Sequence, residues 1–229
     1  MKNKLIKINK DSLIRLYNSK LSSSEGFESI GITYISNNPI ISYIWWSRLQ
    51  AMIDLASKVK AEKVLDFGCG EGVLLPSLSN IYKEVHAVDL DVRTAHDVKN
   101  EFKLSNVKIF QDDIFKSNLE NNCYDIIFAA SVLEHFKDIE IVLKNLKQKL
   151  KKGGMLVFSC PSENYIYKIG RFLSGYNKYS GPQDIHYYGS KEIAEKAKTE
   201  YKLLNKLSLP IKILPFINLH NVYLFKNEQ

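Results

Sequence analysis

The segment Val64-Leu65-Asp66-Phe67-Gly68-Cys69-Gly70-Glu71-Gly72 decides the fold. It begins with a short apolar run that predicts a buried strand, continues into three glycines spaced two residues apart, and is followed by a helical pattern. Glycine is favoured in such a turn because it adopts positive φ at little cost and lets a ligand approach the backbone closely. The segment therefore predicts a strand, a ligand-binding loop and a helix.

The apolar pattern on either side of this segment predicts the fold class. Further runs of strand length lie at 85–90, 107–110, 124–129 and 155–160, and helical patterns separate them at 73–81, 92–104 and 139–150. Two final strands are predicted at 202–209 and 221–225. Alternation of near-continuous apolar strands with helices is typical of a parallel sheet covered on both faces. We therefore expect an α/β protein with a doubly wound, mostly parallel, seven-stranded Rossmann-like sheet.

The chain is predicted to consist of an N-terminal extension and one main domain. Asn38-Pro39 predicts the start of a helix that runs to about Lys58, with Asn38 as the N-cap and Pro39 at the first helical position. We assign residues 1–37 to a small helical extension or lid and residues 38–229 to the α/β domain, with an insert at about 162–189 on the substrate side. The pair Gly153-Gly154 predicts a break before the strand at 155–160.

Composition excludes several classes of protein. The 229 residues are 45% hydrophobic and 25% charged, as in soluble globular proteins, and no apolar stretch is long enough to span a bilayer. The three cysteines, Cys69, Cys123 and Cys160, lack a CxxC spacing, so we predict neither a disulfide framework nor a zinc site. The N-terminus shows no secretion signal, and we expect a cytoplasmic protein.

The net charge of +7 raises the question of nucleic-acid binding. Only four of the 32 basic residues are arginine, and the lysines are scattered along the chain rather than clustered in one segment. Such a distribution favours a solvated surface, so no nucleic-acid partner is predicted. The sequence leaves the oligomeric state open.

Asp89 indicates which ligand the glycine loop binds. It ends the second predicted strand, nineteen residues after Gly70, where a carboxylate accepts hydrogen bonds from both hydroxyls of an adenosine ribose. A dinucleotide fingerprint would need a third glycine at position 73, which is Val73 here. These residues predict an adenosine-containing ligand without a pyrophosphate. The alternatives are a plain strand–helix turn for the glycines and a helix cap for Asp89.

Together these residues resemble the class I S-adenosylmethionine-dependent methyltransferases. That family has a strand ending in an acidic residue and GxGxG, an acidic residue ending the second strand, and an aspartate after the third, which match Asp66 with the glycine loop, Asp89, and Asp112-Asp113. The resemblance covers about residues 64–164 and implies S-adenosylmethionine as cofactor and methyl transfer as activity. The segment 124–136 resembles the subgroup that acts on small molecules, including quinone-biosynthesis enzymes.

The resemblance implies a set of cofactor contacts. Asp66 and the loop would hold the methionyl and sugar portions, Asp89 the ribose, and Asp113 the adenine amino group, with Asp112 as the alternative to Asp113. Ile114 would pack on the adenine ring, and the end of the fourth strand would line the methionyl group. The full set is Asp66, Gly68, Cys69, Gly70, Asp89, Leu90, Asp113, Ile114, Ala130 and Ser131.

His135 is the candidate catalytic residue. Imidazole titrates near neutral pH, so His135 is suited to take a proton from an acceptor hydroxyl. The alternative is that Glu134 and His135 only brace the helix that follows. Two neighbouring residues do not define a metal site, and we predict none. His186 is a second candidate on the acceptor side, for which a structural hydrogen bond is the favoured alternative. The remaining histidines are predicted to lie away from this edge and are assigned no role: His86, His96 and His220.

The predicted function is transfer of a methyl group to a small-molecule acceptor such as a sugar, lipid or quinone-like metabolite. The alternatives are an RNA or protein methyltransferase and a non-catalytic cofactor-binding module of the same fold. A nucleic-acid enzyme would carry an Asn/Asp-Pro-Pro-aromatic motif after the fourth strand, where Ala129-Ala130-Ser131-Val132 stands. Acceptor specificity is predicted to reside in the aromatic segment 27–46 and in the insert.

Overall fold

The computed structural model describes residues 3–21, 34, 36, 38–113, 119–165, 167, 185–210 and 218–228. Seven strands lie within these ranges: β1 Lys63–Phe67, β2 Glu84–Asp89, β3 Val107–Gln111, β4 Tyr124–Ala130, β5 Leu150–Pro161, β6 Lys202–Leu209 and β7 His220–Lys226. They form one sheet in the order β3-β2-β1-β4-β5-β7-β6. Strands β1 to β5 pair in parallel, whereas β7 runs antiparallel to both β5 and β6. The predicted doubly wound, mostly parallel seven-stranded sheet is confirmed.

Helices cover both faces of this sheet. The described helices are α1 Lys10–Leu21, α2 Pro39–Ala56, α3 Leu75–Ile81, α4 Arg93–Glu101, α5 Ile139–Lys149 and α6 Ser190–Ala197, with a short 3-10 turn at Leu133–His135. Neighbouring residues of β1 join different cores: Val64 packs with residues of α2, α3 and α4, and Leu65 packs with residues of α5 and α6. This two-sided burial explains the continuous apolar run, because each fully buried side chain of this size contributes about 1.5–3 kcal/mol.

Helix α2 begins where the sequence predicts. The Asn38 side-chain oxygen accepts hydrogen bonds from the backbone N–H groups of Ile40 and Ile41, at 2.9 and 3.4 Å, and Pro39 occupies the first turn. These contacts satisfy backbone donors that have no partner inside the helix. The helix ends at Ala56, two residues before the predicted end. No helix in the described ranges combines the length and apolar content needed to cross a bilayer.

Residues 3–16 pack on the same core as the sheet. The Leu5 N–H donates to Gln50 Oε1 of α2 at 2.9 Å, and the Ile6 N–H donates to Ser77 Oγ of α3 at 2.8 Å. The Leu5 and Ile8 side chains are buried beneath these contacts. The division into an extension at 1–37 and a domain at 38–229, with the insert at 162–189, stays a prediction.

The predicted break at Gly153-Gly154 is wrong, because β5 begins at Leu150 and runs through both glycines. The register with β4 changes here from Tyr124 opposite Leu150 to Ile126 opposite Met155, so the glycines lie in a bulge. A side chain at Gly154 would lie 3.1 Å from the Tyr124 carbonyl oxygen. The glycine pair therefore permits close approach of two strands rather than ending one.

Candidate functional site

The loop after β1 is tied to the end of β2. The N–H groups of Gly68 and Cys69 donate to the Val88 carbonyl oxygen at 2.9 and 3.2 Å, and the Gly70 N–H donates to Asp89 Oδ2 at 2.7 Å. The loop thus lies at the carboxyl edge of the parallel strands, which is where ligands bind in open α/β sheets. The predicted residues Asp66, Gly68, Gly70 and Asp89 are brought together at this edge.

The three loop glycines share positive φ but have different surroundings. An added Cβ at Gly68 would lie 2.7 Å from Val132 Cβ, and one at Gly72 would lie 3.0 Å from Ala95 Cα. At Gly70, by contrast, no atom lies within 4 Å of the added Cβ. Gly68 and Gly72 are therefore required by protein packing, whereas Gly70 borders open space in which a ligand can contact the backbone.

Asp66 places a buried carboxyl group next to this loop. The residue is 1% exposed, and among the described residues its Oδ2 atom has no hydrogen-bond partner. Burial, together with the nearby charge of Asp89, raises the pKa of Asp66 to about 7. A cationic group of a ligand would provide the missing partner for this carboxylate, so the donor set fits a ligand that carries an ammonium group.

Asp89 also shapes the loop itself. Its Oδ1 atom accepts a hydrogen bond from the Asp91 N–H at 3.2 Å, while Oδ2 accepts the bond from Gly70. Each carboxylate oxygen has two lone pairs, so these bonds are compatible with further donors from a ribose. The alternative that Asp89 caps the next helix is not what the structure shows, because the N-cap position of α4 is Val92 and not Asp89.

The predicted adenine end lies beside β3. The Asp112 N–H donates to the Asp89 carbonyl oxygen at 3.0 Å, and Asp112 Oδ1 accepts from the Asp113 N–H at 2.8 Å. The Asp112 side chain therefore supports the turn, which favours Asp113 over Asp112 as the ligand contact. Leu90 is 72% exposed at the same edge. Ile114 lies outside the described residues.

Cys69 is not a reactive thiol. It is buried in the loop, and burial, with the charges of Asp66 and Asp89 added, raises the pKa of the Cys69 thiol well above its usual range. A protonated thiol is a poor nucleophile. Its contribution to the site is the backbone N–H that binds Val88.

Arg48 enters the site from α2 and was missed by the sequence reasoning. Its guanidinium is 1% exposed and donates to Tyr34 Oη at 2.7 Å and to Ser131 Oγ, while lying 4.4 Å from the centre of the Trp45 ring. Within the described part of the chain, Nε has no hydrogen-bond acceptor. The sequence signal that could have identified Arg48 is a single arginine in the apolar stretch 39–53, since arginine is seldom fully buried unless it is paired.

Ala130 and Ser131 lie at the carboxyl end of β4, as predicted. Ser131 has φ of +53°, an uncommon conformation for a residue with a side chain. Its N–H donates to the Ser159 carbonyl oxygen at 2.8 Å, and its hydroxyl accepts from Arg48. These bonds hold the strained residue beside the loop, in the way that functional sites maintain unusual backbone geometry.

Glu134, His135 and His186 form a compact polar group after β4. The rings of His135 and His186 lie 5.0 Å apart, and one ligand atom from each of the three residues lies within 4.8 Å of the others. Glu134 is buried, and neither of its carboxylate oxygens has a hydrogen-bond partner among the described residues. His186, fifty-one residues away in the sequence, thus adds a third potential metal ligand to the pair considered above.

The prediction that His220 lies away from the ligand edge is wrong. Because β7 is antiparallel, its first residue pairs with Pro161, the last residue of β5, and so lies at the carboxyl edge. The His220 ring is 5.3 Å from Trp45, and burial together with the charge of Arg48 lowers its pKa well below the usual range. His220 is therefore a neutral, buried imidazole at the carboxyl edge of the sheet. His86, by contrast, binds Tyr124 Oη and Glu84 at 2.8 Å within the strands.

Comparisons with known proteins agree with this geometry. The family model described as "Methyltransferase domain" matches residues 65–158. The chain is 30% identical over 99 residues to a malonyl-[acyl-carrier protein] O-methyltransferase of Bacillus anthracis, covering 42% of this chain and 36% of that protein. It is 29% identical over 130 residues to a ubiquinone biosynthesis O-methyltransferase of Aliivibrio fischeri, covering 53% and 55%. The chain thus spans about a third to a half of the length of these relatives.

A solved structure with the same fold is the N-methyltransferase NodS from Bradyrhizobium japonicum WM9 in complex with S-adenosyl-L-homocysteine. The two share a TM-score of 0.66 and 17% identity over 93% of this chain and 99% of NodS. The chain thus resembles methyltransferases over residues 65–158 and shares the fold of one of them. The cationic amino group and the adenosine of S-adenosylmethionine fit the buried Asp66 Oδ2 atom, which has no partner among the described residues, and the open space at Gly70.

A matched pair of glycine variants separates packing from ligand binding. Gly68→Ala is expected to lower the free energy of unfolding by about 2–5 kcal/mol, the sum of left-handed strain and overpacking against Val132. Gly70→Ala adds only the strain, about 1–2 kcal/mol, but places a methyl group in the open space. Urea unfolding measures the first effect, and calorimetric titration with S-adenosylhomocysteine measures the second. Unchanged affinity in Gly70→Ala would show that the cofactor does not occupy this space.

Removing the Asp66 charge is expected to stabilise the ligand-free protein at neutral pH. The pKa of Asp66 in the folded protein, about 7, exceeds its value in the unfolded chain. The folded protein therefore loses stability as the pH rises from about 4 to 7. Asp66→Asn should therefore exceed the wild type in unfolding free energy by up to about 4 kcal/mol at pH 8, and by much less at pH 4.5. Urea unfolding at both pH values checks this, with the exposed Asp97→Asn as control. A pH-independent difference would contradict it.

Proposed function

We propose that this chain transfers a methyl group from S-adenosylmethionine to a hydroxyl group of a small-molecule acceptor such as a sugar, lipid or quinone-like metabolite. The observation that carries the proposal is the buried Asp66 carboxyl group, whose Oδ2 atom has no hydrogen-bond partner among the described residues, beside the open face of Gly70 and the carboxylate of Asp89. The two curated relatives, both O-methyltransferases acting in malonyl-carrier and ubiquinone chemistry by name, support an oxygen acceptor on a small molecule.

The loop residues hold the adenosine and the amino group. Asp89 binds the ribose hydroxyls, Asp113 and Ile114 contact the adenine, and Asp66 pairs with the ammonium of the methionyl portion. Gly68, Cys69, Gly70 and Leu90 form the surrounding wall. Because Asp66 is fully buried, its bond to a cation is stronger than at the surface.

Arg48 binds the carboxylate of the same methionyl portion. It donates to Ser131 at the end of β4, and its Nε–H has no acceptor in the described residues. The two hydrogen bonds to Tyr34 and Ser131 fix the guanidinium plane, and the Trp45 ring covers one face of it. A fixed guanidinium loses little conformational freedom when it binds a carboxylate.

S-Adenosylmethionine, when bound, supplies a methyl group on a sulfonium that is already activated for displacement. The protein therefore has to align the acceptor in line with that methyl group and exclude water. We assign activation of the acceptor hydroxyl to His135. Its Nδ1 atom lies 3.2 Å from the Ile185 carbonyl oxygen, which can only accept, so Nδ1 carries a proton and Nε2 keeps a lone pair.

Calorimetric titration tests the proposed cofactor. S-Adenosylmethionine and S-adenosylhomocysteine are expected to bind with micromolar affinity and NAD not to bind, because position 73 is valine and the loop lacks the dinucleotide pattern. Binding of NAD alone would overturn the proposal. Transfer of a labelled methyl group to fractionated metabolites then distinguishes an enzyme from a non-catalytic module, which would bind cofactor without turnover.

Arg48 is tested with a ligand that lacks the methionyl carboxylate. Arg48→Lys is expected to lower affinity for S-adenosylhomocysteine about ten- to a hundred-fold, since a buried charge-assisted bond contributes about 1.5–3 kcal/mol. Affinity for 5′-methylthioadenosine, which has adenosine but no carboxylate, should change little. Equal loss for both ligands would show that Arg48 acts on the shape of the site rather than on the carboxylate.

A further inference from the structure

His220 is a buried histidine to which the proposed function gives no task. It begins β7, it is 2% exposed, and its Nδ1 atom has no hydrogen-bond partner within the described part of the chain. His86, also a buried histidine of the sheet, differs in this respect. Its two ring nitrogens lie 2.8 Å from Tyr124 Oη and from Glu84 Oε1. Buried polar atoms are nearly always paired, so the unpaired Nδ1 of His220 requires a partner from outside the fold.

Contacts of the Trp45 ring place His220 near the proposed methionyl end of the cofactor. The centre of this ring is 4.4 Å from the Arg48 guanidinium carbon and 5.3 Å from the centre of the His220 ring. Arg48 in turn donates to Ser131 at the end of β4. The transferred methyl group is carried on the methionyl sulfur, so the acceptor has to bind close to this end.

We propose that His220 determines acceptor specificity by forming a hydrogen bond with an acceptor hydroxyl group that does not itself react. The inference rests on the proposed function, because it needs a methyl acceptor at this edge of the sheet. A neutral imidazole has one N–H group and one lone pair, and a hydroxyl can meet either of them. The acceptor is then a molecule with at least two hydroxyl groups, which favours a polyhydroxylated compound over a lipid with a single hydroxyl.

The charges around His220 favour a neutral group at this position. Burial, followed by the nearby charges of Arg48 and His186, lowers the pKa of His220 well below its usual range. An anionic group would bind Arg48 instead, and a cationic group would be repelled by it. The low pKa also makes His220 a weak base, which leaves removal of the proton to His135.

Ser159 provides independent support for a ligand subsite. Pro161 pairs with His220 across β5 and β7, and Ser159 lies two residues before Pro161, so the side chains of Ser159 and His220 project from the same face of the sheet. Ser159 is fully buried, and its Oγ atom also has no partner among the residues that the structure describes. Two unpaired polar atoms on one face indicate a ligand subsite rather than a single packing defect.

Two aromatic rings fix the orientation of the His220 imidazole. Trp45 and Tyr167 both pack against it in edge-to-face geometry, with ring centres at 5.3 and 5.9 Å and interplanar angles of 65° and 87°. A side chain that is already held by packing loses little conformational freedom when it binds a ligand. His220 is therefore preorganised to select an acceptor by the position of its hydroxyl group.

Variants of His220 test the inference through the kinetics of labelled methyl transfer. The probe is one metabolite fraction that the wild type methylates, used as a dilution series so that KM is obtained in relative units. His220→Phe keeps a ring but removes both nitrogens. It is expected to raise KM about ten-fold and to change kcat less than about three-fold, because the lost bond is made to a group that does not react. His220→Asn, which places a polar atom near the position of Nδ1, should recover most of this loss.

His86→Phe is the matched control. It breaks the bonds to Tyr124 and Glu84, so it should lower the urea midpoint of unfolding and leave KM unchanged. His220→Phe should leave the urea midpoint of the ligand-free protein unchanged or raise it, since Nδ1 has no partner to lose in the described ranges. If His86→Phe does not fold, His96→Phe, an exposed position on α4, replaces it as the kinetic control.

An unchanged KM in His220→Phe would overturn the inference, as would a fall in its urea midpoint as large as that of His86→Phe. A methylated product without a further free hydroxyl group, judged by acetylation and mass spectrometry, would also overturn it. Loss of affinity for S-adenosylhomocysteine in His220→Phe would assign His220 to the cofactor instead. If the wild type binds cofactor but methylates no fraction, the proposed function fails and the inference fails with it. Wild-type kinetics in His220→Phe remove the inference alone.

Discussion

The attachment of the β1 loop to the end of β2 is the constraint on which the rest of the site depends. Three backbone donors of the loop bind Val88 and Asp89, and the carboxylate of Asp89 is one of the acceptors. Because this carboxylate joins strand, loop and proposed ribose contact, the geometry of the cofactor site is set by the sheet itself. Gly68 completes the constraint by allowing Val132, from the segment after β4, to lie against the same loop.

Buried polar atoms without protein partners are concentrated around this loop and the end of β4. Asp66, Arg48 and Glu134 each leave at least one such atom in the described residues, and each lies on a different element. Proteins seldom leave buried charges unsatisfied, because the desolvation cost is large. Asp66 and Arg48 fit the ammonium and the carboxylate of one amino-acid group. Glu134 lies beside two imidazoles.

The fold and the cofactor side could be predicted from the sequence because they depend on local patterns. Apolar runs of strand length, the glycine loop and Asp89 are each recognisable within a few residues. The glycine pair in β5 was predicted to end an element because a bulge within a strand and a turn between two elements are both rich in glycine.

The acceptor side depends on pairings that a single sequence does not display. Arg48 precedes the loop by twenty residues and reaches it only because α2 packs across β4 and β5. His220 lies at the ligand edge because β7 reverses direction, and His186 joins Glu134 through a backbone bond between distant segments. The sequence shows each residue type but not the direction of the strand or the contact that brings it there.

Arg48 also links the site to the stability of the N-terminal third of the chain. Helix α2 carries it, and residues 3–8 in turn lie on α2 and α3. A ligand that contacts Arg48 binds only those protein molecules in which α2 is packed on the sheet. Binding of the ligand is therefore coupled to local unfolding of this region, and each shifts the other. Amide exchange in α2 therefore reports on the ligand, and a substitution as remote as Leu5 can change affinity without touching the site.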